Sequence, residues 1–227
     1  MEISILNQID GKALFTSVKT SLDEIEYDLK DKEIRRDTLI KNTRDVVNDC
    51  SNSIVSLHRS DIDKATQRMD RAKVTLDTLR KKAGTDLYKY IVVPEQELVE
   101  AHMLRAIIQA KFLPSLEELG VSGSSYLTGL LDCIGELKRM VYDKLRAGKP
   151  DESTKLFSIM EEIYSSIYPF AAYDNLVPSL RRKLDVAKVL IEDIRAIVTE
   201  EKRRQMIIAA MDDLKDHLVK SSREKST

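Results

Sequence analysis

The chain has 227 residues, 42% of them hydrophobic, enough to bury one full core. Its net charge of -1 excludes a uniformly basic nucleic-acid binder but permits one with segregated charge: residues 32–44 carry five basic and two acidic side chains, whereas residues 95–120 carry five acidic and two basic ones. The two cysteines, Cys50 and Cys133, are too few for a disulfide framework and lack metal-ligand spacing, so they read as reduced, buried thiols of a cytoplasmic protein.

Residues 1–15 have no basic leader, and Asn7, Gln8 and Asp10 interrupt their apolar residues, so they do not read as a signal peptide. No run approaches membrane-spanning length, and no membrane partner is expected. A long helix over 32–58 places Leu39, Val46, Cys50, Ile54 and Leu57 inward; Ser60 breaks it and Asp61 caps the next. Over 61–82, Ile62, Ala65, Met69, Ala72, Leu76 and Leu79 step by three and four, a narrow seam for another helix of this chain or of a partner. Pro94 opens a helix at its first turn, with Glu95 and Glu97 near the positive end of the dipole. Residues 120–125 read as a loop, 126–147 as a helix stopped by Gly148, and Pro150, Asp151 and Glu152 start another that reaches Tyr168. A further helix begins at Pro178 and runs to about Arg204, and a short one spans 205–219. The polar tail 220–227 is expected to be disordered. Residues 1–219 therefore form a single all-α domain, an antiparallel bundle of about six to seven helices.

Two pairs of acids carry the chemistry. Glu97 and Glu100 share one helix face, as do Asp132 and Glu136, because side chains three or four apart are neighbours on a helix. Two such helices face to face would gather four carboxylates, whose mutual repulsion is relieved by a hard divalent cation such as Mg2+ or Mn2+. Glu97 and Glu100 lie in line with apolar Leu104 and Ile108, which makes unpaired charge there costly. Asp132 and Glu136 lie opposite the apolar side of their helix, and with Arg139 and Asp143 they read equally well as a solvated face. The three histidines, His58, His102 and His217, form neither a triad nor a zinc set, and no Glu-x-x-His spacing supports a di-iron bundle. Lys41 and Arg44, three apart, are candidates for phosphate contacts. Tyr88 and Tyr90 are candidates for packing or for base stacking, and the basic run 181–183 opens a helix whose dipole disfavours it, which favours an outward or partner-facing role.

Three blocks in order resemble the translin/Trax family: Asp31-Lys32 with the segments 39–46 and 57–59, then 96–101 (Gln-Glu-Leu-Val-Glu-Ala), then 126–140 (from Tyr-Leu-Thr-Gly to Lys-Arg-Met). The likeness spans about residues 31–204; the first thirty residues and the connection 85–93 do not match. The resemblance implies a helical subunit of a hollow, usually octameric shell that binds RNA or single-stranded DNA, as a homo-oligomer or together with a translin-type subunit. Glu97, Glu100 and Asp132 match the catalytic acids of Trax-like subunits, and Glu136 matches the acid one turn later. That implies a metal-dependent endoribonuclease, preferring single-stranded RNA, with Glu97, Glu100, Asp132 and Glu136 as metal ligands on the inner face of the shell. The alternative is a non-catalytic RNA-binding, single-stranded-DNA-binding or scaffold protein of the same fold.

Overall fold

The computed structural model describes residues 15–224. The absence of a signal peptide, read from residues 1–15, and the end of the expected disordered tail fall on residues outside those described. Seven α-helices follow in order: α1 Thr16–His58, α2 Ile62–Ala83, α3 Val92–Ile108, α4 Leu116–Leu119, α5 Gly123–Arg146, α6 Pro150–Ile167 and α7 Leu180–Glu224. Short 3-10 turns at Tyr88–Tyr90 and Tyr168–Tyr173 complete the described chain, which contains no strand. The all-α class read from the periodicity is therefore correct.

The expected seam of α2 is used within the chain. Ala65, Met69, Ala72, Leu76 and Leu79 are buried, and α1 is the helix that α2 chiefly packs along. The break between them is as expected, with Asp61 Oδ1 accepting from the backbone N–H of Lys64 at 3.2 Å. At the centre of the remaining packing stands α5, which touches α3, α6 and α7.

Three boundaries differ from the expectation. First, α1 begins at Thr16 and not near Lys32, because acid–base pairs one turn apart, Glu26 with Lys30 at 2.6 Å and Asp31 with Arg35 at 2.7 Å, favour helix where apolar burial does not. Second, α5 starts at Gly123, where the Ser122 side chain caps the N–H of Ser125. Third, one unbroken α7 replaces the two expected helices and continues to Glu224, into the segment expected as tail. From Leu180 to Glu224 there is neither Gly nor Pro, so nothing ends it.

Glu95, expected near the positive end of the helix dipole, is fully buried. Its carboxylate accepts from Arg80 Nε (2.8 Å), Tyr88 OH (2.7 Å), and the N–H and Oγ of Ser122 (both 3.1 Å). Burial pushes its proton affinity up, but the hydrogen bonds from Tyr88, Ser122, Arg80 and Ser125 outweigh that and hold it below the ordinary range. One buried acid thus joins the end of α2, the Tyr88–Tyr90 turn, α3 and the start of α5.

A second fixed point lies about two turns further along α5. A Cβ on Gly129 would lie 2.7 Å from the carbonyl oxygen of Gln96 and 2.7 Å from Val99 Cβ, so α3 and α5 cross almost in backbone contact there. Gly135, on the same helix, has nothing within 4 Å of the corresponding position. Gly129→Ala should therefore lower stability by about 1–3 kcal/mol through overpacking, whereas Gly135→Ala should raise it by up to about 1 kcal/mol through helix propensity. Urea denaturation of both variants checks the contrast, and equal effects would contradict the crossing.

Candidate active site

The crossing at Gly129 leaves Glu97 and Glu100 of α3 next to Asp132 of α5. All three line an open hollow of about 560 Å³, whose far wall is the start of α7 with Arg182 and Lys183. The Lys183 ammonium donates to both carboxylate oxygens of Asp132. Ser51 of α1 donates to Glu97 Oε2 at 3.4 Å. Glu136 does not line this hollow: its Oε2 lies 2.5 Å from His58 Nε2 and 3.9 Å from the Arg139 guanidinium.

These surroundings divide the acids electrostatically. Burial, then the nearby charges of Glu97, Asp132 and Glu136, push the Glu100 carboxyl from its ordinary 4.5 up to about 8, with Lys183 opposing. Glu97 is raised as well, by burial and by Asp132, with Ser51 and Lys183 acting the other way. Glu136 is held below the usual carboxylate range, chiefly by its hydrogen bond to His58. The hollow thus contains one acid, Glu100, poised to exchange a proton near neutral pH, while Glu136 outside it is held ionised.

Among the described residues, no group of three or more His, Cys, Asp or Glu side chains is gathered so that it could hold a metal ion. The reason is local: Asp132 is taken by Lys183, Glu97 is turned to Ser51, and Glu136 is taken by His58. The donor set around the hollow still suits a hard divalent cation. It is all oxygen, and its members destabilise one another's charge, which a cation would relieve. Lys183 already supplies positive charge of that kind at Asp132. Glu97, Glu100 and Asp132 are the residues that would hold the ion.

Of the candidate phosphate contacts, Lys41 and Arg44 are exposed on α1. Arg44 lies two turns before Ser51, a rise of about 10 Å on nearly the same helix face, so it points along the edge of α1 that adjoins the acids. Tyr88 is spent on Glu95 and on packing. His102, read as a packed histidine, is buried with Nδ1 3.3 Å from Arg105, and burial drives its proton affinity down to about 4. Both cysteines are buried thiols. Three site residues escaped the sequence reading: Ser51, His58 as the partner of Glu136, and Lys183 as the partner of Asp132. Only Lys183 left a signal, as part of a basic run at an unfavourable helix end.

No helix among the described residues is long and apolar enough to cross a membrane. Comparison with known proteins gives a family match over residues 34–199, to the translin family. An uncharacterized protein of Methanocaldococcus jannaschii is 30% identical over 178 residues, covering 76% of this chain and 80% of the relative. Among solved structures, AfC3PO in complex with duplex RNA is 28% identical with a TM-score of 0.75, covering 82% of this chain and 98% of that one. A second crystal structure of AfC3PO aligns equally well, at 28% identity and a TM-score of 0.75, covering 82% of this chain and 99% of that one. Apo-NeC3PO, at 24% identity and a TM-score of 0.69 over 78% of this chain and 95% of that one, shares the fold. The helical bundle, the blocks around both acid pairs and the match over 34–199 agree: the chain belongs to the translin family.

Proposed function

We propose that this protein is a Mg2+- or Mn2+-dependent endoribonuclease of the Trax-like, catalytic kind, a cytoplasmic subunit of a hollow oligomer that presents its carboxylates to RNA on the inner face. One observation carries the reading: Glu97 and Glu100 from α3 and Asp132 from α5 line a single open hollow with two cationic side chains, Arg182 and Lys183, on its opposite wall. A structural cluster of acids would be neutralised in place, as Glu95 is. Here Glu97 and Glu100 remain in electrostatic conflict beside an opening large enough for a phosphodiester. The RNA complex of AfC3PO supports RNA as the substrate class, and because that complex holds duplex RNA, duplexes belong in the test beside the single strands that the sequence favoured.

Each side chain has a distinct task. Arg182 and Lys183 meet the phosphate oxygens from the α7 side. Lys183 must then exchange one oxygen partner, Asp132, for another. Whichever of Glu97 and Glu100 is not on the ion accepts a proton at its carboxylate from the attacking water. Ser51 orients Glu97 from the other flank. A divalent cation bound by Asp132 and the other of those two carboxylates would supply neutralisation of phosphate charge and a lower pKa for water. His58 keeps Glu136 ionised at the margin, where its charge contributes to the raised affinity of Glu100. A second reading, RNA binding without cleavage, is favoured by the Lys183–Asp132 pair, which occupies a carboxylate that the ion requires.

Cleavage of labelled single-stranded and duplex RNA, with Mg2+, Mn2+ or EDTA, separates the two. Metal-dependent cutting that falls by roughly 10²-fold or more in Glu100→Ala and in Asp132→Ala, at unchanged oligomeric state, is expected. RNA binding with no cutting by the wild type leaves the binding protein. Lys41→Ala and Arg44→Ala should each weaken RNA binding and flatten its salt dependence by one phosphate's worth of slope, about 0.7–0.9; an unchanged slope would remove them from the interface.

Glu100 also sets a pH dependence. A carboxyl whose folded-state pKa is raised leaves the protein most stable below its unfolded pKa, and that stability is lost as pH rises from about 4.5 to about 8. In EDTA, Glu100→Gln should therefore melt above the wild type at pH 8 and level with it near pH 4.5. Added Mg2+ should narrow the gap at pH 8. Identical melting of wild type and variant at both pH values would mean that Glu100 is not under the strain described.

A further inference from the structure

The carboxylates of the hollow already hold a cation, and it belongs to the protein. Lys183, in the first turn of α7, donates to both oxygens of Asp132; an ammonium has three N–H donors, so one is left for another acceptor. Its charge also lowers the proton affinity of Glu97 and of Glu100, so a single ammonium acts on all three acids. Neither oxygen of Asp132 is without a donor. A divalent cation brought to the same carboxylate would face a like charge across its own ligand, where Coulomb repulsion is strong. Lys183 on Asp132 and an ion on Asp132 are therefore alternatives.

The exchange between them falls to a side chain. Leu180 and Leu184, on either side of Lys183, are buried in the core, which fixes the backbone at 183. The side chain itself is 25% exposed at the wall of the open hollow, and a lysine carries a compact charge on a flexible four-carbon stem. An arginine would grip the carboxylate with a rigid fork; the residue present is the one able to turn away. On leaving Asp132 the ammonium needs a new anion, because Glu97 and Glu100 are the oxygens that an ion would share with Asp132. The anion that comes from outside is a phosphate of the RNA. Arg182 lines the same hollow, is exposed and has no acid partner among the described residues, so a phosphate that it receives arrives beside Lys183.

Competition at Asp132 thus becomes coupling between two ligands. Without RNA, an ion must break the Lys183–Asp132 pair, and its apparent affinity is reduced accordingly. With a phosphate holding the ammonium, Asp132 is free and the reduction disappears. By linkage, an ion on Asp132 makes the ammonium available to phosphate by the same factor. We propose that Lys183 is an exchangeable counter-ion that holds Asp132 until an RNA phosphate takes it over, so that RNA and the divalent cation each bind more tightly in the presence of the other. The inference rests on the metal-dependent reading of the hollow and adds to it the side chain that confines ion loading to the RNA-bound state.

Two binding measurements on the full-length protein test it, and neither reads cleavage. In the first, free Mn2+ is followed by electron paramagnetic resonance without RNA. Lys183→Met should bind the ion at least about fivefold more tightly than the wild type, Lys183→Arg no more tightly than the wild type, and Asp132→Asn more weakly than either the wild type or Lys183→Met. In the second, RNA affinity is read by fluorescence anisotropy in Ca2+ and in EDTA at equal ionic strength, with gel electrophoresis confirming intact RNA. The gain in affinity that the ion gives the wild type should shrink at least about fivefold in Lys183→Met. Circular dichroism and sedimentation velocity check that the variants keep their helix content and assembly. Equal Mn2+ affinity in the wild type and Lys183→Met, or an equal gain in RNA affinity, would overturn the coupling and leave the metal reading standing. Mn2+ binding that is the same in Asp132→Asn as in the wild type and Lys183→Met would remove the ion from this hollow, and the nuclease reading with it.

Discussion

The near-contact of α3 and α5 at Gly129 is the constraint on which the candidate site depends. A side chain there would run into the carbonyl of Gln96 and into Val99, so the backbones are free to approach only because position 129 carries none. Glu97 follows Gln96, Glu100 follows Val99, and Asp132 lies one turn beyond Gly129. The close crossing therefore forces carboxylates from two helices to one opening. Their repulsion is not an accident of side-chain placement that a rotamer change relieves; it is set by where the helices meet. The electrostatic cost falls on Glu100, the most enclosed of the three, and is met by retention of a proton, by Lys183 or by an ion.

Two acids on α3, five residues apart, show the difference between charge used for structure and charge kept for chemistry. Glu95 is more completely buried than Glu100, yet its proton affinity is lowered while that of Glu100 is raised. The difference lies in the partners. Glu95 accepts hydrogen bonds from a guanidinium, a phenol, a hydroxyl and a backbone N–H, so ionisation is favoured despite burial. The neighbours that act on Glu100 are mainly other carboxylates. A fold that can satisfy one buried acid so fully, and leaves another beside an opening unsatisfied, concentrates its perturbed group where a ligand can reach it.

The same contrast explains what the sequence made legible. Helical period identified the seam of α2 and the shared faces of Glu97 with Glu100 and of Asp132 with Glu136, because those relations live within one helix. It did not reveal that Glu95 is interred, since its partners come from three other segments, nor that Glu136 is drawn to His58, 78 positions away. Lys183 is the instructive intermediate. A basic run at the positive end of a helix is locally unfavourable, and that conflict signals a partner elsewhere without naming Asp132, 51 positions away. The early start of α1 and the unbroken α7 were missed for another reason. Apolar burial marks where a helix packs, and both extensions run on past the bundle, sustained by acid–base pairs and by the lack of any breaking residue.

That last property ties the two ends of α7 together. Its first turn supplies Lys183 to the carboxylate hollow, and its far end carries the exposed side chains of Ile207, Met211 and Leu214. Sharp bends in helices arise at Pro, at Gly–Ser pairs or at inserted residues, and residues 180–224 contain neither Pro nor Gly. Leu184, Ala187, Ile191, Ile194 and Val198 fix the half nearest the site in the core, which holds Lys183 in place against Asp132. The ammonium that meets Asp132 and the exposed outer half of α7 are therefore parts of one unbroken helix, and only the inner half is held by packing.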